Sequence, residues 1–417
     1  MPKPIVLVGA LDTKGAEYEF VRELLQAQGL ETVLVDFGVL ADPPVVPDID
    51  SDAVARAGGS SLAELRAQGD KTLAMRTMSE GLTQVVRDLY AGGRLGGILA
   101  MAGGGGTAIA TAAMRALPTG VPKLMVSTLA AGDISAYVGT KDITMMPSVV
   151  DVAGINRISR QIYTNAAGAI AGMVRQPAPP EYSQAAGAEK PLISASMFGN
   201  TTVCVNHARE LLEAKGFEVL VFHATGTGGR TMEQLIGDGY ITANLDLTTT
   251  ELADEVCGGV LSAGPDRLLA SARRGIPTVL APGCVDMANF WARDTVPAKY
   301  QDRNLYEWNP NITLMRTTVA ENRSMGEKIA HAANVSDGPV AILLPLKGVS
   351  QLDSPGGAFW DPEADGACYE AIKANLKPGI PIVELDANIN DPVFAEKAVE
   401  MLLGLMESSR WQIADSR

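Results

Sequence analysis

Residues 99–128 read LAMAGGGGTAIATAAMRALPTGVPKLMVST. Four consecutive glycines, Gly103, Gly104, Gly105 and Gly106, stand between an apolar strand pattern and an alanine-rich helical pattern, with Thr107 next. Glycine lets a backbone approach a ligand closely, and the first turn of a helix offers unpaired N–H groups with partial positive charge. That combination suits a phosphate, and Thr107 can add a hydroxyl. No lysine follows the last glycine, so the run is not a GxxxxGK[ST] loop. It meets G-x-G-x-x-G/A only loosely, through Gly103, Gly105 and Ala108. The competing reading is a tight turn with close helix–sheet packing.

Other candidate groups also fall where strands end. GALDTKG (9–15) places Asp12, Thr13 and Lys14 after the first strand. Lys14 can meet a phosphate as a point charge. Asp12 can hold a ribose or, through water, Mg²⁺. The alternative is a helix cap by Asp12 or Thr13. Asp36 closes the second strand, VLVDFG, where dinucleotide-binding folds place an acidic residue on ribose hydroxyls. The first loop lacks the three-glycine fingerprint, so a nucleoside is the better expectation than a dinucleotide. Ser127 and Thr128 end the strand after the glycine-led helix and are expected on the same rim.

In the second half, HATGTGGRTMEQL (223–235) suggests an anion cradle, with Arg230 as its cation and His223 as a proton carrier. A structural histidine at a strand end is the alternative for His223. Lys347, in LPLKGVS, supplies a further cation. His223, Arg230 and Lys347 are the catalytic candidates. Cys284 has no base beside it in the sequence and reads as a structural thiol. No His or Cys spacing fits a metal site, so none is expected.

The elements that must hold these residues alternate. PIVLVGA, ETVLVDFG, GGILAM and PKLMVST are short apolar strands separated by helical patterns, including one over 71–91. A loop (129–147) and a helical run over 149–174 follow. Residues 176–190, rich in proline and alanine, are expected to link two domains, 1–175 and 191–417. After this linker the pattern restarts: RELL begins at Arg22 and at Arg209, and the same offset pairs Gly29 with Gly216 and Asp36 with His223. The fold class is therefore α/β, two Rossmann-like domains with mostly parallel sheets, related by internal duplication. Ligands of such sheets bind beyond the carboxyl ends of the strands.

Composition narrows the function classes. The chain has 417 residues, 47% hydrophobic and 20% charged, enough for two large cores. A formal charge of −14 argues against nucleic acid and anionic membranes as partners. No run approaches 18 apolar residues, and the first residues lack a signal-peptide pattern. Four scattered cysteines then read as reduced thiols in a cytoplasmic protein, expected as a homo-oligomer.

Taken together, GGGGTAIATAAMRALPTGVPKLMVST, YVGTKDITMMPSVVDVAGINRIS, FGNTT, FHATGTGGRTMEQL, PGCVDM, LPLKGVS and ELDANINDP resemble the signature blocks of an uncharacterised bacterial and fungal family. That family includes the N-terminal region of the tomato mosaic virus resistance protein, and the resemblance covers essentially the whole chain. The resemblance implies ATP binding by the first of two Rossmann-like subdomains, with the glycine run and the DTKG loop lining the site. It implies no reaction. The resulting expectation is an ATP-binding protein, with Mg²⁺ on the nucleotide, acting as an enzyme on a small anionic metabolite in an interdomain cleft. A nucleotide-regulated binding protein without chemistry and an NAD(P)-dependent oxidoreductase are the alternatives.

Overall fold

The computed structural model describes residues 3–176 and 190–415, with side chains to 408. The chain forms two compact units, Met1–Gln184 and Ala185–Arg417. The expected linker, 176–190, lies outside the described residues except at its two ends.

The first unit runs β1 (Ile5–Gly9), α1 (Leu11–Ala27), β2 (Thr32–Asp36), α2 (Ser51–Ala57), α3 (Leu62–Gln68), α4 (Lys71–Ala91), β3 (Gly97–Ala102), α5 (Gly104–Arg115), β4 (Lys123–Ser127), α6 (Ser135–Val138), β5 (Thr144–Pro147) and α7 (Arg157–Arg175). Its five strands are all parallel, in the order β2-β1-β3-β4-β5. β1, β3 and β4 are buried along their whole length, which is why β1 and β3 read as unbroken apolar runs. Gly29 (φ +74°) stops α1 in a left-handed turn, with the Leu30 amide reaching back to the Leu25 carbonyl. Asp50, Ser61 and Asp70 cap α2, α3 and α4.

Two local expectations change. The DTKG stretch is not a loop: α1 begins at Leu11, and only Lys14 departs from helical geometry. The segment expected as a loop contains β5, a short edge strand ending at Pro147. Proline is tolerated there because no further strand needs its missing N–H.

The second unit runs β6 (Leu192–Met197), α8 (Thr202–Glu213), β7 (Glu218–His223), α9 (Thr227–Gly237), β8 (Ala243–Thr248), α10 (Thr250–Cys257), α11 (Leu269–Arg274), β9 (Thr278–Gly283), β10 (Met287–Phe290), β11 (Leu305–Asn309), β12 (Ile312–Arg316), α12 (Val319–Asn334), β13 (Val340–Pro345), α13 (Pro362–Asn375), β14 (Ile382–Leu385) and α14 (Pro392–Asp415). Its main sheet is parallel and six-stranded, β7-β6-β8-β9-β13-β14. Counted in chain order within each parallel sheet, both sheets begin 2-1-3-4-5. A small antiparallel sheet, β10-β12-β11, is inserted after β9. The architecture is thus the α/β fold with two mostly parallel sheets that the alternating pattern predicts.

Candidate functional site

In the order 2-1-3-4-5 the chain turns from one side of β1 to the other, and the crevice this opens lies beyond the carboxyl ends of β1 and β3. In the first unit the ladder between β1 and β3 runs from Ile5–Gly97 to Val8–Ala100 and stops. A cavity of about 580 Å³ lies at this end of the sheet. Ala10 after β1, Asp12 and Thr13 at the start of α1, Phe37 to Leu40 after β2, and Gly105, Gly106 and Ile109 of α5, which follows β3, line it. Its remaining walls are Leu65, Arg66 and Gly69 to Lys71, then Ala74, Met75 and Met78 of α4.

The glycine run divides into two functions. Gly106 is a packing residue: a Cβ there would lie 2.7 Å from the Ala102 Cβ. The positions of Gly103, Gly104 and Gly105 are open, with the nearest atoms to an added Cβ at 3.6 Å or more. None of the four has positive φ, so the turn does not require them. Gly103 is the helix cap and has no side chain to offer. The first α-helical bond of α5 runs from the Thr107 amide to the Gly103 carbonyl, and among the described residues no acceptor faces the amides of Gly104, Gly105 and Gly106. Gly104 and Gly105 are exposed. This is the open helix N-terminus that an anion can use.

Several other expected contacts are already committed within the protein. Thr107 and Ser127 are fully buried, their hydroxyls 2.7 Å apart, and Thr107 also donates to the Gly103 carbonyl. They brace the glycine turn from below. Thr128 is exposed beside Gly103. Lys14 turns away from the cavity and donates to the Val152 carbonyl. Asp36 is buried, and its Oδ1 accepts the amides of Leu11 (2.9 Å) and Gly38 (2.8 Å). Burial pushes its carboxyl pKa up, against the pull of those amides. Asp36 therefore ties β2 to the start of α1. Asp12 caps nothing on α1. Its Oδ2 accepts the Leu40 amide at 2.8 Å, while Oδ1 is buried without a partner. Thr13 is exposed at the cavity edge.

The second unit separates its three candidates. His223 ends β7, stacked obliquely on Phe198 with centroids 5.4 Å apart, and burial of part of the ring pulls its pKa down. Arg230 donates to the Ser262 carbonyl at 2.9 Å. Lys347 follows β13 and pairs with Asp386 at 2.8 Å. β7 and β13 are four strand positions apart in the sheet, about 19 Å at ~4.8 Å per step. Lys347 thus does not join His223 and Arg230. Nor is the loop before Arg230 an open anion cradle. The amides of Gly226 and Gly229 already bind Glu251 Oε1, at 2.7 and 3.1 Å. Arg267 holds Glu251 in place and pairs with Asp246 and Glu233. Cys284 is fully buried, and burial raises its thiol pKa well above the ordinary range, which fits a structural role. Among the described residues no group of three or more His, Cys, Asp or Glu is placed to hold a metal ion.

Sequence reasoning missed the walls supplied by Phe37, Leu65, Arg66, Lys71, Met75 and Met78. One signal was present: positions 71, 74, 75 and 78 lie on one face of a helix, and all four line the cavity.

No helix among the described residues is long and apolar enough to cross a membrane. Residues 3–179 match the N-terminal domain, and residues 190–406 the C-terminal domain, of the uncharacterised protein family UPF0261. A UPF0261 protein of Clostridium tetani is 49% identical over 408 residues, covering 98% of this chain and 100% of that one. The ToMV resistance protein Tm-1(GCR237) of Solanum lycopersicum is 41% identical over 342 residues, covering 81% of this chain and 45% of the tomato protein. This chain therefore corresponds to less than half of that relative. Among solved structures, the glycosyltransferase VinC in complex with DTDP aligns over 96% of this chain and 99% of its own, at 10% identity and a TM-score of 0.17. Matched across both of its domains, the chain belongs to the UPF0261 family.

Proposed function

We propose that the first unit binds a mononucleotide of the ATP class in the cavity beyond β1 and β3. The observation that carries this reading is the open N-terminus of α5, where Gly105 and Gly106 line a cavity large enough for a small ligand. Phe37, Leu65, Met75, Met78 and Ile109 provide an apolar wall suited to a base. Asp12 lines the cavity, and its carboxylate is the group suited to a ribose hydroxyl or to a water of Mg²⁺. With no cluster for a metal among the described residues, Mg²⁺ would ride on the phosphates.

A dinucleotide has weaker support, because Asp36, the expected ribose ligand, spends its Oδ1 on backbone amides. ATP-dependent chemistry on a small anionic metabolite also has weaker support than binding itself. Its expected groups are dispersed, and its expected cradle holds Glu251. A nucleotide-regulated binding role fits this arrangement better. The shared 2-1-3-4-5 order and the RELL echo support a common origin for the two units.

Calorimetric titration of the full chain with ATP and with NAD(P) tests the reading. ATP is expected to bind, and Gly104→Val or Gly105→Val to abolish binding while the circular dichroism spectrum is retained. Stabilisation by NAD(P) alone in a thermal-shift assay would overturn it. If a metabolite panel accelerates ATP hydrolysis, the regulated-binding role gives way to an enzyme.

A further inference from the structure

The nucleotide reading leaves open which cation meets the phosphates, since Lys14 is turned away to Val152. Two basic residues line the cavity, Arg66 and Lys71. Arg66 is anchored at the cavity edge: its Nε donates to the Val39 carbonyl at 2.7 Å, and Nη1 pairs with Asp42 at 3.0 Å. Lys71 is exposed, and among the described residues it forms no ion pair. Its neighbour Asp70 is occupied by capping, accepting the amides of Thr72 and Leu73.

Position fixes where Lys71 can reach. Lys71 and Met75 are one helical turn apart on the same face of α4, a rise of about 6 Å. Met75 stands against the glycine run: a Cβ on Gly105 would lie 3.6 Å from Met75 Cε. Side chains on a helix lean toward its N-terminus, and a lysine has a flexible four-carbon stem. The ammonium of Lys71 can therefore reach the mouth of the cavity beside the open amides of α5. Those amides are fixed donors with only partial charge, whereas Lys71 brings a full one.

We propose that Lys71 binds the phosphate end of the ligand, and that it makes the site prefer a nucleoside polyphosphate to an unphosphorylated nucleoside. This rests on the nucleotide reading of the cavity. The test is calorimetric titration of the full chain and of its Lys71→Gln and Lys71→Arg variants with ATP and with adenosine. Lys71 is exposed and at a helix start, so all three proteins should melt at the same temperature. Lys71→Gln is expected to weaken ATP binding about tenfold or more, the range of a charge-assisted hydrogen bond. Adenosine affinity should not move, and Lys71→Arg should retain most of the ATP affinity. If the natural protein binds ATP and Lys71→Gln binds it within twofold, another group neutralises the phosphates and the proposal fails. An equal loss for ATP and adenosine also overturns it, because that would mark a contact to the nucleoside. If the natural protein binds neither ligand, the nucleotide reading itself falls.

Discussion

At the fork between β1 and β3, one hydroxyl takes the place of the missing ladder. Tyr18 Oη accepts the Met101 amide at 2.6 Å and lies 2.7 Å from the Val8 carbonyl and 2.9 Å from that of Met101. Gly9 is glycine because a Cβ there would lie 2.3 Å from the Tyr18 ring. The strands can separate beneath the cavity because Tyr18 satisfies the polar groups that separation exposes. Tyr18→Phe would leave the Met101 amide buried without an acceptor. It is expected to lower stability by about 1–3 kcal/mol, read as a shift in the urea midpoint of the circular dichroism signal. A midpoint unchanged within error would mean that the amide finds another partner. The same logic explains Asp36: a carboxylate at a strand end resembles a ribose ligand in sequence, but here it holds two amides of its own backbone.

Element by element, α5 shows how four identical residues can differ. Gly106→Ala must push the helix away from β3 and should cost about 1–3 kcal/mol. Gly104→Ala and Gly105→Ala fit without strain and should be neutral or stabilising by up to about 1 kcal/mol. Thermal melting of the three variants gives the ranking, and uniform destabilisation would mean that the whole run serves packing. From sequence, GGGG shows only that a close approach occurs somewhere in it. The strands around it were legible because parallel strands buried on both faces are continuous apolar runs, as in IVLVG and GILAMA. The start of α4 was legible from the helical pattern over 71–91. The part of the cavity wall before α4 was not, because Leu65 and Arg66 belong to the long β2–α4 connection. Only the three-dimensional path brings that connection over Gly105. Lys14 misled for a related reason: helix geometry at residues 11–13 rotates its side chain toward Val152. The sheet β10-β12-β11 also escaped, since it interrupts the strand–helix alternation and β11 carries mostly exposed residues.

Across the whole molecule, buried acidity is concentrated in the second unit, and this makes a prediction about pH. Asp286, Asp353 and Asp365 are buried near one guanidinium, that of Arg316, which lies 2.7 Å from Asp365 and 3.9 Å from Asp353. Burial, with repulsion between Asp286 and Asp353, pushes the Asp286 carboxyl up. Asp254, whose carboxylate accepts from Asn289 and Leu261, is pushed up to about 7 by burial. A carboxyl with an ordinary value of 3.8 when unfolded takes up a proton on folding throughout that interval. The stabilisation is complete below pH 3.8 and is lost as the pH rises toward 7, a change on the order of 4 kcal/mol for this group. All four tryptophans, Trp291, Trp308, Trp360 and Trp411, belong to the second unit, so tryptophan fluorescence follows it alone. The urea midpoint of that signal should fall as the pH is raised from 5 to 7, and go on falling less steeply toward about 9, the value to which burial and the neighbouring Asp353 push the Asp365 carboxyl. Asp254→Asn, which cannot titrate, should flatten the slope. An unchanged slope in the variant would place the titration elsewhere in the unit, and a midpoint that rises over the same interval would show that the native unit sheds protons on folding.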